Sequence, residues 1–264
     1  MLPWLLHQLL LMASVAAVPV EIPQKMFPTA IIVGVKKGGT RALLEFLRLN
    51  PNIRAPRQEV HFFDRNYNKG LEWYRSQMPL VTNGQVTIEK SPAYFHSRTA
   101  PERIRAFNPS MKIIIVVRNP VMRAISDYTQ SASKRRTIGE MPSFEDMAVG
   151  NCAPWLKTNC SSKVDGVNIH IVDGERLVAD PAAEVATTER FLGLESVVQA
   201  NNFAVNPVKK FPCVRHPDAT LHCLGKTKGR THPRVRRSVL HQLRRFYAPE
   251  NEKFFRLINR SLIW

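Results

Sequence analysis

AIIVGVKKGGTRALLEFLRL, residues 30–49, changes its pattern twice. Ala30 to Val35 is a continuous apolar run of the length expected for a strand buried on both faces. Lys36-Lys37-Gly38-Gly39-Thr40-Arg41 breaks that run, and from Ala42 apolar residues return at helical spacing. The unit therefore reads as strand, glycine loop, helix. Further along, Val86 to Glu89 (VTIE) is a weaker strand and Lys112 to Val117 (KIIIVV) a strong one, ended by Arg118-Asn119-Pro120 before a helical stretch around Arg123 to Gln130. Val167 to Val172 (VNIHIV) repeats the theme, with a helix predicted from about Pro181 to Leu192. Strands alternating with helices predict an α/β fold: a central, mostly parallel sheet flanked by helices. Ligands in such folds gather at the carboxyl ends of the strands.

The chain has 264 residues, 44% of them apolar, which suits a single domain with one large core, taken as residues 27–264. Residues 134–166 carry no periodicity and read as a loop region. From Lys209 the pattern is a cysteine-closed hairpin, a basic loop from Lys226 to Arg237, and one or two helices ending near Trp264. Lys and Arg number 38 against 21 Asp and Glu, a formal charge of +17. That excess favours a polyanionic partner, and on charge alone nucleic acid, anionic membrane, sulfated glycan and a merely basic surface all stay open.

Residues 1–20 contain no Lys, Arg, Asp or Glu and end in small side chains, the pattern of a secretory signal. An uncleaved anchor is the rival reading, because the leader lacks its usual positive start. Against it, Pro3, His7, Gln8 and Pro19 cut the apolar run below spanning length, so no stable membrane span is expected once the signal is cleaved. A lumenal chain admits disulfides, and the cysteines form two local pairs, Cys152 with Cys160 and Cys213 with Cys223, at spacings that match no common zinc pattern. Asn159 and Asn259 head glycosylation sequons.

A glycine turn between a buried strand and a helix offers backbone N–H groups and the positive helix end to an anion. Gly34 to Thr40 has that form without being a Walker A loop, since Thr40 stands where the lysine belongs and Lys37 precedes the glycine pair. A nucleoside triphosphatase also needs an acidic residue after a later strand to help hold Mg²⁺. Here KIIIVV ends in Arg118, a cation suited to a second phosphate. Taken singly, the glycines also read as a plain turn and Arg118 as a surface charge; together they favour a metal-independent donor with phosphate at both ends over ATP or GTP.

Taken in order, IIVGVKKGGTRALLEFL, EVHFFD, VTIEKSPAYF, IIIVVRNPVMRAISDYTQ and GKTKGRTHP resemble the heparan sulfate glucosamine 3-O-sulfotransferases, over most of residues 29–133 and 167–264. The likeness is greatest to the short, lumenal, type-1-like forms. It implies a P-loop-like sulfotransferase fold, sulfuryl transfer from 3′-phosphoadenosine 5′-phosphosulfate (PAPS) to the 3-hydroxyl of glucosamine in heparan sulfate, a Golgi-lumenal setting and no metal in the chemical step.

Residue by residue, the resemblance implies that Lys36, Lys37, Gly38, Gly39, Thr40 and Arg41 grip the 5′-phosphosulfate. Lys37 would neutralise charge on the bridging oxygen as the S–O bond breaks. Arg118 and Ser126 would hold the 3′-phosphate, and Lys228, Gly229 and Arg230 would close over the cofactor. Glu59 is the implied base, since a sugar hydroxyl is a poor nucleophile until a carboxylate takes its proton. If the segment is extended, Glu59 and His61 share a face. His61, Asp64 and Lys90 surround the base and the acceptor, with Lys90 orienting Glu59 or binding a glycan sulfate. Arg123 and Gln130, with Lys134, Arg135 and Arg136, would extend a basic cleft, although that basic run also reads as a solvated helix face. Cys213 and Cys223 resemble the family's disulfide-closed hairpin.

The chain departs from the family between about Gly150 and Val167, where relatives carry a longer helical segment, and at Pro212, where they have a tyrosine. The first departure supports a rival reading, a catalytically weak or inactive heparan sulfate-binding protein that keeps the fold. Nucleic-acid binding suits the charge but not the leader, so no nucleic-acid partner is expected.

Overall fold

The computed structural model describes residues 21–134, 141–149, 168–208, 210–216, 218–225 and 231–264. Outside them lie the leader, Arg135 and Arg136, the region with Cys152, Asn159 and Cys160, and the loop residues Lys228, Gly229 and Arg230. In chain order the elements begin with β1 Gln24–Lys25, β2 Ala30–Gly34, α1 Thr40–Leu47, β3 Ile53–Arg54, α2 Gly70–Ser76 and β4 Leu80–Val81. Next come β5 Val86–Lys90, α3 Ala100–Phe107, β6 Lys112–Val117, α4 Pro120–Ala132, α5 Phe144–Val149 and β7 Ile169–Asp173. The last are α6 Arg176–Ala179, α7 Pro181–Leu192, β8 Phe203–Val205, β9 Pro212–Arg215, β10 Leu221–His222 and α8 Arg237–Leu257.

Five strands form a sheet in the order β3-β5-β2-β6-β7, every neighbouring pair parallel. After β2 the chain builds one wing of the sheet through β3 and β5, then crosses to the other side of β2 for β6 and β7. The strand order thus reverses beside β2, where open α/β sheets leave a crevice at their carboxyl ends. β2 is central because both its faces are apolar: Ala30 and Ile32 pack toward α1 and α7 with Leu43, Leu47 and Val185, while Ile31 and Val33 pack toward α3 with Phe62, Phe63 and Tyr74. Each fully buried Ile contributes roughly 1.5–3 kcal/mol.

Local chemistry sets the helix ends. Asn119 caps α4 by accepting from the N–H groups of Val121 and Met122, with Pro120 at the first position. Asp180 caps α7 in the same way ahead of Pro181, and Gly193 ends it in the left-handed region. One feature differs from the sequence reading. The stretch taken as loop contains α5, whose Phe144 is buried against α4 and α8. Of the one or two helices expected in the C-terminal part, one forms, α8. Before it, β8, β9 and β10 form a small antiparallel sheet, and a disulfide joins Cys213 to Cys223. Among the described residues no helix is long and apolar enough to cross a membrane.

Candidate active site

The loop after β2 is shaped by close backbone approach. A Cβ on Gly38 would lie 2.4 Å from the Val116 carbonyl oxygen, so only glycine lets the turn press against the end of β6. Gly39 has φ +123°, a conformation that a side chain would strain. Together they aim the start of α1 into the crevice, and α1 has neither a side-chain cap nor an acid in its first turn. An uncapped helix start leaves N–H donors and a positive dipole end for an anion.

Cations converge on this loop. Lys37 Nζ donates to Gln130 Oε1 at 3.1 Å, which joins the loop to α4. Lys36 pairs with Asp127 of α4 at 2.7 Å, and Arg41 pairs with Glu45 at 2.8 Å. Arg118, just past β6, reaches Glu175 at 3.4 Å and the Lys37 carbonyl at 3.5 Å. Ser126 is buried in α4. Burial, then the charges of Arg118 and Lys37, hold the His232 imidazole below its ordinary pKa, so the three groups share one electrostatic field. An anion carrying several phosphate oxygens would relieve that repulsion.

At the end of β5, the strand beside β2, a second cluster forms around Glu59. Its carboxylate contacts Lys90 Nζ through Oε1 and lies 3.3 Å from His61 Nε2 through Oε2. The other ring nitrogen, Nδ1, is 3.0 Å from Asp64 Oδ2, which fixes the ring plane. Lys90 is 5% exposed and Glu59 42%, so the carboxylate is half-open to solvent while its partner is buried. Burial alone would raise the Glu59 pKa, but the hydrogen bond and charge of Lys90, with His61, outweigh it and hold the carboxyl below the usual range. Lys90 is itself pulled down by burial, against the raising effect of Glu59.

Glu59 and His61 meet, but not on an extended strand. His61 adopts φ 53° and ψ 37°, a left-handed bend that folds its ring back toward Glu59. The two clusters are neighbours because Lys90 pairs in register with Ile32, two residues before the loop begins at Gly34. Adjacent strands lie about 4.8 Å apart.

A sulfotransferase domain profile matches residues 27–257. Heparan sulfate glucosamine 3-O-sulfotransferase 3B1 of Mus musculus is 48% identical over 91% of this chain and 65% of its own length. Heparan sulfate glucosamine 3-O-sulfotransferase 6 of Homo sapiens is 47% identical over 91% of this chain and 75% of its own length. The chain belongs to the heparan sulfate glucosamine 3-O-sulfotransferase family. It spans about 65% of the length of the 3B1 relative. A sulfotransferase from Alicyclobacillus acidocaldarius shares the fold, with a TM-score of 0.65 at 20% identity over 90% of this chain and 98% of that one.

Arg123, also singled out from sequence, lies close enough to Tyr247 of α8 for its charge to act on that phenol. Three groups escaped the sequence reading. Glu175 follows β7 and holds Arg118, and the rule that ligands gather at strand ends would have pointed to it. His232 lies within the GKTKGRTHP motif but is separated from Lys37 by most of the chain. Glu89, wholly buried at the end of β5, gives no sequence signal beyond its strand position. Among the described residues no group of His, Cys, Asp or Glu has the geometry of a metal site.

Proposed function

We propose that the chain transfers a sulfuryl group from PAPS to the 3-hydroxyl of glucosamine residues in heparan sulfate, with Glu59 as the base. The observation that carries this reading is the juxtaposition of an ionised, half-exposed carboxylate with a cationic glycine loop on the next strand of the sheet. Lys36 through Arg41, Arg118 and Ser126 bind the phosphates of the donor, in keeping with the uncapped start of α1 and the shared field at His232. Glu59 takes the hydroxyl proton as the sugar oxygen bonds to sulfur, and Lys37 offsets the negative charge left on phosphate as the S–O bond breaks. Lys90 and His61 hold Glu59 ionised and aimed, while Asp64 orients His61. Gln130, bonded to Lys37, links the donor loop to the acceptor side, and the basic face of the chain carries the polyanion.

The setting is the lumen of the secretory pathway, supported by the Cys213–Cys223 disulfide, a bond that reducing compartments disfavour. The test is disaccharide analysis of heparan sulfate after incubation with the protein and labelled PAPS, beside the Glu59→Gln variant. Gln keeps a hydrogen-bond acceptor for the buried Lys90 but cannot take a proton. The expected result is 3-O-sulfated glucosamine from the parent and a rate lower by about 10²–10⁴-fold from the variant, the usual contribution of a general base. Equal rates would remove Glu59 from the mechanism; binding of heparan sulfate without transfer would leave a glycan-binding protein on a sulfotransferase fold.

A further inference from the structure

The segment that carries the base belongs to no strand, and its conformation is one that a chain does not adopt unaided. His61 is a non-glycine residue in the left-handed region, which costs free energy and persists only where the surroundings over-determine it. Here the surroundings are Asn66, whose side chain donates to the Val60 and His61 carbonyls, and a network that ends on one buried acid, Glu89. The His61 N–H donates to Ser91 Oγ at 3.0 Å, and that hydroxyl donates in turn to Glu89 Oε1 at 2.5 Å. The Phe63 N–H donates to the hydroxyl of the buried Tyr94 at 3.3 Å. Tyr74 donates to the second oxygen, Oε2, at 3.3 Å. Glu89 and Ser91 are both 0% exposed, so water cannot substitute for any of these bonds. An acid that served only the core would be replaceable by an apolar side chain; this one fixes, through the Ser91 hydroxyl, the backbone N–H of the bent residue itself.

We propose that Glu89 is a positioning residue for the sulfuryl-transfer base: through Ser91 it locks the bend at His61 so that the Glu59 carboxylate stays between Lys90 and His61. The proposal rests on the reading of Glu59 as base. Glu89 touches neither donor nor acceptor, and its neighbour Lys90, not Glu89 itself, makes the contact with Glu59.

The test uses Ser91→Ala and Glu89→Gln, each alone and combined with Glu59→Gln. It measures kcat, KM for heparan sulfate, affinity for adenosine 3′,5′-bisphosphate and Tm. Misplacing a catalytic group by about 1 Å costs up to 10²-fold, so kcat is expected to fall by roughly 10–100-fold in the single variants. Nucleotide affinity should stay within about twofold, because the donor loop lies on the neighbouring strand. In the Glu59→Gln background the same substitutions should lower the residual rate no further, since the group that they position is already gone. Should Glu89→Gln unfold the chain, Ser91→Ala, which deletes the one hydroxyl between Glu89 and the His61 N–H, carries the same test. Unchanged kcat in folded single variants, or an equal loss in the Glu59→Gln background, would overturn the positioning role while leaving Glu59 as base. A fully active Glu59→Gln protein would instead remove the base and, with it, this proposal.

Discussion

Replacing Gly38 by alanine tests whether the donor loop works as a rigid cradle. The added methyl would sit 2.4 Å from the Val116 carbonyl oxygen and 3.1 Å from both Val35 Cγ2 and the Val35 carbonyl oxygen. Ordinary van der Waals contact begins near 3.4 Å, so the loop must withdraw by about 1 Å. It cannot do so by rotating a neighbouring side chain, because the nearest atom is backbone in β6, a strand paired on both edges. The withdrawal carries Lys37 and the first N–H groups of α1 away from the phosphate. A 1 Å error costs about a hundredfold in rate, equivalent to about 2.7 kcal/mol of transition-state stabilisation. Titration with adenosine 3′,5′-bisphosphate and a PAPS-dependent transfer assay should both register the loss. The overpacking itself should cost about 1–3 kcal/mol of stability, visible as a lower Tm. Gly38→Ala with parental nucleotide affinity and parental kcat/KM would refute the claim that loop position is set by the β6 backbone.

Two further outcomes follow from the base cluster and the hairpin. In Lys90→Met the carboxyl of Glu59 keeps the burial that raises its pKa and loses the cation that lowers it. Because the base must be ionised, the acidic limb of kcat/KM against pH should move to higher pH, and an unmoved limb would show that Lys90 does not tune Glu59. Cys213 and Cys223 close a short loop, ten residues apart, whose cross-link is worth about 2–3 kcal/mol by the loop-closure relation. Cys213→Ala with Cys223→Ala should therefore lower Tm, and a Tm insensitive to the pair would mean that the reduced hairpin is as constrained as the oxidised one.

The sheet was legible because parallel strands buried on both faces must be apolar throughout. KIIIVV and AIIVG announce themselves for that reason, and helix α7 did so through its Asp-Pro start and Gly193 end. α5 was hidden because six residues are too few to establish a helical period, and Phe144 gains its meaning only from Tyr128 and Leu243 across the chain. The glycine loop after β2 could be read from sequence since its pattern is local: lysine, glycine pair and helix start are contiguous. The cluster around Glu59 was only partly readable. Glu59 and His61 were expected to meet on an extended face, yet they meet through a left-handed bend held by residues about thirty positions away. No local pattern encodes such a bend, and at position 89 an acid at a strand end reads like any other polar residue.

The two halves of the crevice hold their charges in different ways, and the difference suits their tasks. On the donor side the cations sit in partly exposed pairs, Lys36 with Asp127 and Arg118 with Glu175. Exposed pairs are worth about 0–1 kcal/mol, so they orient the cations without competing strongly against a phosphate that brings several oxygens at once. On the other side Lys90 is buried while Glu59 is half-exposed, so removing the carboxylate would strand a buried ammonium. A buried cation is costly to leave unpaired, which favours the ionised carboxylate beside it. On the proposed reading, donor binding would exchange partners on one strand end while the next stays fixed. Raising ionic strength should accordingly weaken nucleotide affinity well before it alters kcat at saturating donor, because salt screens exposed charges far more than buried ones. A parallel decline of both quantities would mean that Lys90 is as open to solvent as the cations of the glycine loop.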